Sequence, residues 1–159
     1  MLNADSIKVD KSVIYKTTGG REVYGGGGIV PDVFVPMDTT RATKFYVECN
    51  KKATAMRFAS SIFDQYKDKL SAIDDWNELD TFLNGLDIPS KFLSFAQRKD
   101  GIKPAKGEWE ETQSYLLPQL RALVGRYSKL GDNAFYKLYL SVDTTLKAAI
   151  DAPSDVSQL

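Results

Sequence analysis

Apolar residues change their spacing near position 37. From Lys8 to Pro36 they alternate or cluster in short runs broken by glycine, and beyond Asp38 they recur every three or four residues almost to the end. The longest periodic run is "DTTRATKFYVECNKKATAMRFASSIFDQYKDKL", which holds neither Gly nor Pro through Leu70. Phe45, Cys49, Lys52, Met56, Ala59, Phe63, Tyr66 and Leu70 form one stripe and predict a single helix from about Thr40 to Leu70. The one polar member, Lys52, can lay its stem along an apolar face.

Five shorter helices follow on the same reasoning. "DDWNELDTFLNG" places Trp76, Leu79, Phe82 and Leu83 on one side, with Asp75 near its start and Gly85 at its end. "IPSKFLSFAQRKDGI" puts Pro89 at a first helical position, and Gly101 followed by Ile102 reads as a left-handed cap with an apolar follower. "EWEETQSYLLPQLRALVGRYSKLG" opens with acids where the helix dipole favours them. Its Pro118 predicts a kink or a helix that begins near Tyr115. "DNAFYKLYLS" and "DTTLKAAIDA" close the chain, with Asp132 and Asp143 as expected caps. The aromatic-rich "AFYKLYL" leaves one tyrosine for a surface contact. "PSDVSQL" is expected to fray.

The first 37 residues read differently. "KSVIYKTT" is a strand with Val13 and Tyr15 on one face, "TTGGRE" a turn, and "REVY" the returning strand. "VPDVFVP", with a proline at each end, is an edge or exit strand at best. A lone hairpin of this size is marginal in water and must borrow stability from elsewhere. The expected fold is therefore mainly α, a bundle of five or six helices over residues 38–159, behind a short β/Gly-rich segment over 1–37. No internal repeat is present.

Composition narrows the chemistry. Lys+Arg and Asp+Glu balance at 21 each, which argues against general attraction to nucleic acid. No apolar run approaches the ~20 residues that span a bilayer, and Met1–Asp10 lacks the basic start and apolar core of a signal peptide. The chain has no histidine and one cysteine, Cys49. That inventory removes Ser-His and Cys-His nucleophile pairs, imidazole metal ligands and thiolate clusters. Cys49 lies in a helical pattern beside Phe45 and Ala53 and is read as core. No Ser-x-x-Lys occurs.

The run Gly25–Gly28 invites comparison with phosphate loops, yet no Gly-Lys dipeptide exists, and the glycines lead into Ile-Val-Pro-Asp instead of a helix. Backbone freedom in a turn, or close strand approach, is the sufficient reading. Asp74, Asp75, Glu78 and Asp80, and Glu108, Glu110 and Glu111, cluster at helix starts, where capping explains them without acid–base or metal chemistry.

The segment "YKTTGGREVYGGGGIVPDVFVP", Tyr15 to Pro36, resembles the stretch that closes the protease domain of carboxy-terminal processing (tail-specific) serine peptidases. The matching positions are Tyr15 and Thr17 at a strand end, Gly20 and Arg21 at a turn, then Val23 and Tyr24, and Gly28, Ile29, Pro31 and Asp32. The helical remainder is similar at pattern level to the C-terminal extension of longer members. The resemblance implies a Ser/Lys dyad and a PDZ domain upstream of the matched segment, so no catalytic residue carries over, and Tyr15, Thr17, Gly20, Arg21, Gly28, Ile29, Pro31 and Asp32 become structural candidates. It also implies an exported or periplasmic parent and no cofactor. As partners it implies the catalytic and PDZ domains, polypeptide substrates reached through them, and a possible second copy paired by strand edges. The alternatives are an autonomous helical interaction module and, more weakly, an enzyme using carboxylates alone.

Overall fold

The computed structural model describes residues 12–20, 22–25, 33–36 and 42–152. Its elements are strands β1 (Ile14–Lys16) and β2 (Glu22–Tyr24), and helices α1 (Lys44–Lys51), α2 (Thr54–Ala72), α3 (Trp76–Asn84), α4 (Ile88–Asp100), α5 (Glu108–Gly125), α6 (Gly131–Tyr139) and α7 (Thr144–Asp151). A 3-10 turn, Leu140–Val142, follows α6. The fold is mainly helical, with a two-stranded antiparallel sheet. The chain divides into two units, a body of residues 39–143 and a terminal unit of residues 1–38 and 144–159.

In the body, α5 packs against α1, α2, α3, α4 and α6. Its apolar side supplies Leu116, Leu120 and Val124, all at or below 1% exposure. Pro118 lies within this helix, which begins at Glu108 and not near Tyr115. A chain of aromatic edges crosses the core. Phe92 of α4 meets Phe45 at 6.3 Å and Phe58 at 5.3 Å between ring centres, and Phe45 continues to Trp109 at 6.2 Å. Edge-to-face contacts of this kind add roughly 0.5–1.5 kcal/mol each beyond area burial. Gly125 sits where α5 and α6 approach closely: a Cβ there would lie 3.1 Å from Leu138 Cδ1 and 3.5 Å from Ala134 Cβ.

The long helix expected from Thr40 to Leu70 is broken. Ala53 has φ +50°, a left-handed conformation, and it separates α1 from α2. Phe45 and Phe58 are 13 positions apart, which on one straight helix would place them about 140° from one another. Breaking the helix lets both reach Phe92. It also moves the buried stripe of α2 onto Ala55, Phe58, Ala59 and Ile62, leaving Met56 64% exposed.

The break is held by Asp100 at the end of α4. Thr54 Oγ1 donates to its Oδ2 at 2.6 Å, Arg57 Nη2 to its Oδ1 at 2.7 Å, and Lys52 Nζ to its backbone oxygen at 2.8 Å. Arg57 Nη1 also donates to the Lys52 carbonyl at 3.3 Å. These bonds tie side chains from both sides of the junction to one residue, and Arg57 also holds a junction carbonyl.

Other boundaries follow the capping chemistry. Asp75 accepts from the Asn77 and Glu78 N–H groups at the start of α3. Gly101, with φ +70°, ends α4, and Ile102 behind it is buried. Asp132, expected as a cap, instead sits in the first turn of α6 and pairs with Arg126 at 2.7 Å; Leu130 occupies the cap position. Asp143 immediately precedes α7. Val33 to Pro36 carry no strand pairing, so the described part of "VPDVFVP" is not a strand. Pro36 has no N–H with which to extend a ladder.

The terminal unit differs in kind: none of its described residues is buried. Both strands of its hairpin are exposed throughout, and α7 buries no side chain, with Ile150 73% exposed.

In an uninterrupted helix Ala53→Gly would cost about 1 kcal/mol. At a left-handed residue glycine relieves a strain of roughly 1–2 kcal/mol. Urea unfolding of Ala53→Gly is therefore expected to show equal or higher stability than the parent, and a loss near 1 kcal/mol would contradict the break.

Candidate functional site

The residues picked out by the family resemblance converge on the hairpin as far as it is described. Tyr15 pairs with Val23, Ile14 with Tyr24 and Lys16 with Glu22, the last reinforced by an ion pair of 3.8 Å. Thr17 follows the first strand, and its carbonyl accepts the Gly20 N–H at 2.9 Å. Gly20 has φ +80°, which a side chain would strain. The ladder continues one step beyond β2, where the Gly25 N–H donates to the Val13 carbonyl at 2.8 Å.

Gly25 is where the glycine run makes structural sense. A Cβ at this position would lie 2.8 Å from Tyr15 Cε2 and 3.1 Å from Val13 Cγ1. The Tyr15 ring and Val13 thus lie over glycine backbone on one face, as the alternation of the sequence predicts. Ile14 and Tyr24 occupy the other face. Neither face is covered: Tyr15 is 60% exposed and Ile14 52%. Arg21, Gly28, Ile29, Pro31 and Asp32 lie outside the described residues.

In the helical body several candidate carboxylates hold helices together. Asp74 pairs with Lys129 at 3.4 Å, and Asp80 with Arg121 at 2.9 Å. Asp80 also accepts from the Asn84 amide at 2.9 Å. Glu108 accepts the Ala105 N–H at 2.7 Å and the Phe45 N–H at 3.4 Å, joining the starts of α1 and α5. Thr43 and Thr112 share a 2.7 Å hydroxyl contact at the same junction. Glu110 and Glu111 complete the acidic first turn of α5, where the helix dipole is favourable. Among the described residues no group of three or more Cys, Asp or Glu side chains is arranged to hold a metal ion.

Cys49 is 2% exposed, and burial pushes its thiol up to about 11. It stays protonated near neutrality and serves as core, since the thiolate is the reactive form. Of the aromatic trio on α6, Phe135 stacks on Tyr139 at 5.5 Å and meets Tyr136 edge-on at 5.4 Å, and Tyr136 is 56% exposed.

Asp100 is the functional group that periodicity could not reveal. Its only sequence signal was its place before the Gly101 cap, whereas its structural task involves residues 43 to 48 positions earlier. Its side chain is 4% exposed. Desolvation alone would raise its pKa, but the Thr54 hydroxyl and the Arg57 guanidinium outweigh that effect, with Lys52 assisting, and hold the carboxyl below its ordinary value.

No family model, no curated protein and no solved structure matches this chain.

Because the folded-state pKa of Asp100 is depressed, its carboxylate stabilises the body fully above the unfolded value of about 3.9, and that contribution is lost as pH falls through the folded value. Asp100→Asn is expected to cost about 1–2 kcal/mol at pH 7, the range for a charged hydrogen bond discounted for a partly solvated arginine. The gap between parent and variant, measured by urea unfolding, should stay constant above about pH 5 and close below about pH 4. A gap unchanged at acid pH would show that the carboxylate's charge is not its source.

Proposed function

We propose that this chain is the C-terminal portion of a tail-specific serine peptidase, non-catalytic by itself. In this reading the hairpin supplies the last strands of the protease sheet. The helical body then has a structural, oligomerising or substrate-positioning role. The single observation that carries the reading is the hairpin: it bears the Tyr-x-Thr strand end and the glycine turn of the family, and both its faces are bare.

The physical support is straightforward. A two-stranded hairpin is marginal in water without a third strand or a packed layer. Here valine, isoleucine and tyrosine side chains stand on both faces. Strand edges and apolar faces in this state suit a larger sheet. Peptide-bond cleavage would then belong to a serine nucleophile and a lysine base located upstream in the parent, and the parent's export to the periplasm follows from the same reading.

A second reading, an autonomous helical interaction module, is favoured by the body's own closed core, in which Phe45, Phe58, Phe92, Leu116 and Leu120 are all at or below 1% exposure. The size of the native product separates the two. An immunoblot of source cells with antibody against the helical body is expected to show a band several times heavier than 17.7 kDa. A sole band near 17.7 kDa would overturn the peptidase reading and leave the interaction module.

A further inference from the structure

Charge is balanced over the whole chain, but it is not balanced in the groove between α2 and α4. This groove has a volume of about 410 Å³, within the size range of small-molecule sites. Buried Phe58, Ile62 and Phe95 contribute to its lining, so part of the surface is apolar. Polar groups come from both helices: Ser61 and Gln65 on α2, and Ser90, Lys91, Ser94 and Arg98 on α4. The last set lies at positions i, i+1, i+4 and i+8, a spacing that keeps it along one side of the helix. No carboxylate is among the lining residues.

The cations are uncommitted. Neither Lys91 nor Arg98 has a carboxylate partner among the described residues. The acids at the two ends of α4 are engaged elsewhere, and Asp64 and Asp68 of α2 are not among the lining residues. Asp87 accepts the Ser90 backbone N–H at the start of α4, and Asp100 is bound by Thr54 and Arg57 at its end. Arg98 is braced by a 3.3 Å bond from its Nε to the Ser94 carbonyl, which leaves both terminal nitrogens available. Lys91 stands with its ammonium 6.0 Å from the Tyr66 ring centre. The side chains of Gln65, Ser90 and Ser94 carry no hydrogen bond to another described residue.

We infer that this groove binds a small oxyanion, a phosphate ester or a carboxylate, through Arg98 and Lys91, with the Ser90, Ser94 and Gln65 side chains donating to it. A planar guanidinium and an ammonium lining one groove are groups that recognise such anions, and hydroxyl and amide donors complete their coordination. The apolar lining suits the carbon skeleton to which the anionic group is attached. This site is independent of the hairpin and of the peptidase reading.

The test is an NMR titration of the full chain with sodium phosphate, glycerol 3-phosphate and succinate in turn, at constant ionic strength. Saturable shifts confined to residues 61–65 and 90–98 are expected with at least one probe. Arg98→Gln and Lys91→Gln should each weaken that binding by roughly tenfold, the scale of one charged hydrogen bond. Lys99→Gln, on the same helix but outside the groove lining, should leave it unchanged. Saturation with the two phosphates alone identifies a phosphoryl ligand, and saturation with succinate alone a dicarboxylate. Shifts that fail to saturate with all three probes, or an equal loss in Lys99→Gln, would overturn the inference.

Discussion

The body depends on a single left-handed residue. Ala53 turns what would be one long helix into two, and only then can Phe45 and Phe58 meet on Phe92. The cost of that backbone conformation, roughly 1–2 kcal/mol, is offset by the aromatic contacts it permits and by the bonds that Asp100 makes to both sides of the junction. Asp100 is itself fixed by the left-handed glycine cap that follows it. A cap at the end of α4 therefore stabilises a break between α1 and α2, and the break sets which residues of α2 face the core.

Much of this architecture is legible in the sequence, and the misses share a cause. The starts and ends of α3 and α4 follow from Asp75, Gly85, Pro89 and Gly101, because capping is a local interaction and acts through neighbouring backbone groups. The hairpin is legible for the same reason: strict alternation and a glycine turn determine its register. The Ala53 break is not, because alanine is the best of helix formers and nothing local disfavours helix there. What opposes the helix is tertiary: Asp100, 47 positions away in the chain, supplies hydrogen bonds that a continuous helix would forgo. The misassignment of Met56 to the core follows directly, since a stripe drawn through an unrecognised break keeps the wrong phase. Asp132 departs from its expected cap role for a related reason: Arg126 offers its carboxylate a partner, and Leu130 takes the cap position.

The candidate sites divide along the same line. Tyr15, Thr17, Gly20 and Gly25 are recognisable as a unit because their relation is sequential, and the structure adds why Gly25 must lack a side chain. The α2–α4 groove could not be read from the chain, since it takes shape only when two helices separated in sequence bring side chains without carboxylates to one lining. The two units also differ in what completes them. The body closes its own core around α5, whereas the hairpin and α7 present apolar side chains that no described residue buries. Under the peptidase reading proposed above, a further surface would cover these side chains.

Hydrogen exchange of the isolated chain, resolved by segment, tests this division most directly. The account predicts protection approaching global stability in α2, α4 and α5, and little protection across Ile14–Tyr24 and Thr144–Asp151, where backbone bonds lack a packed layer. Protection of the hairpin equal to that of α5 in a monomer would contradict it, because the terminal unit would then be complete without any partner.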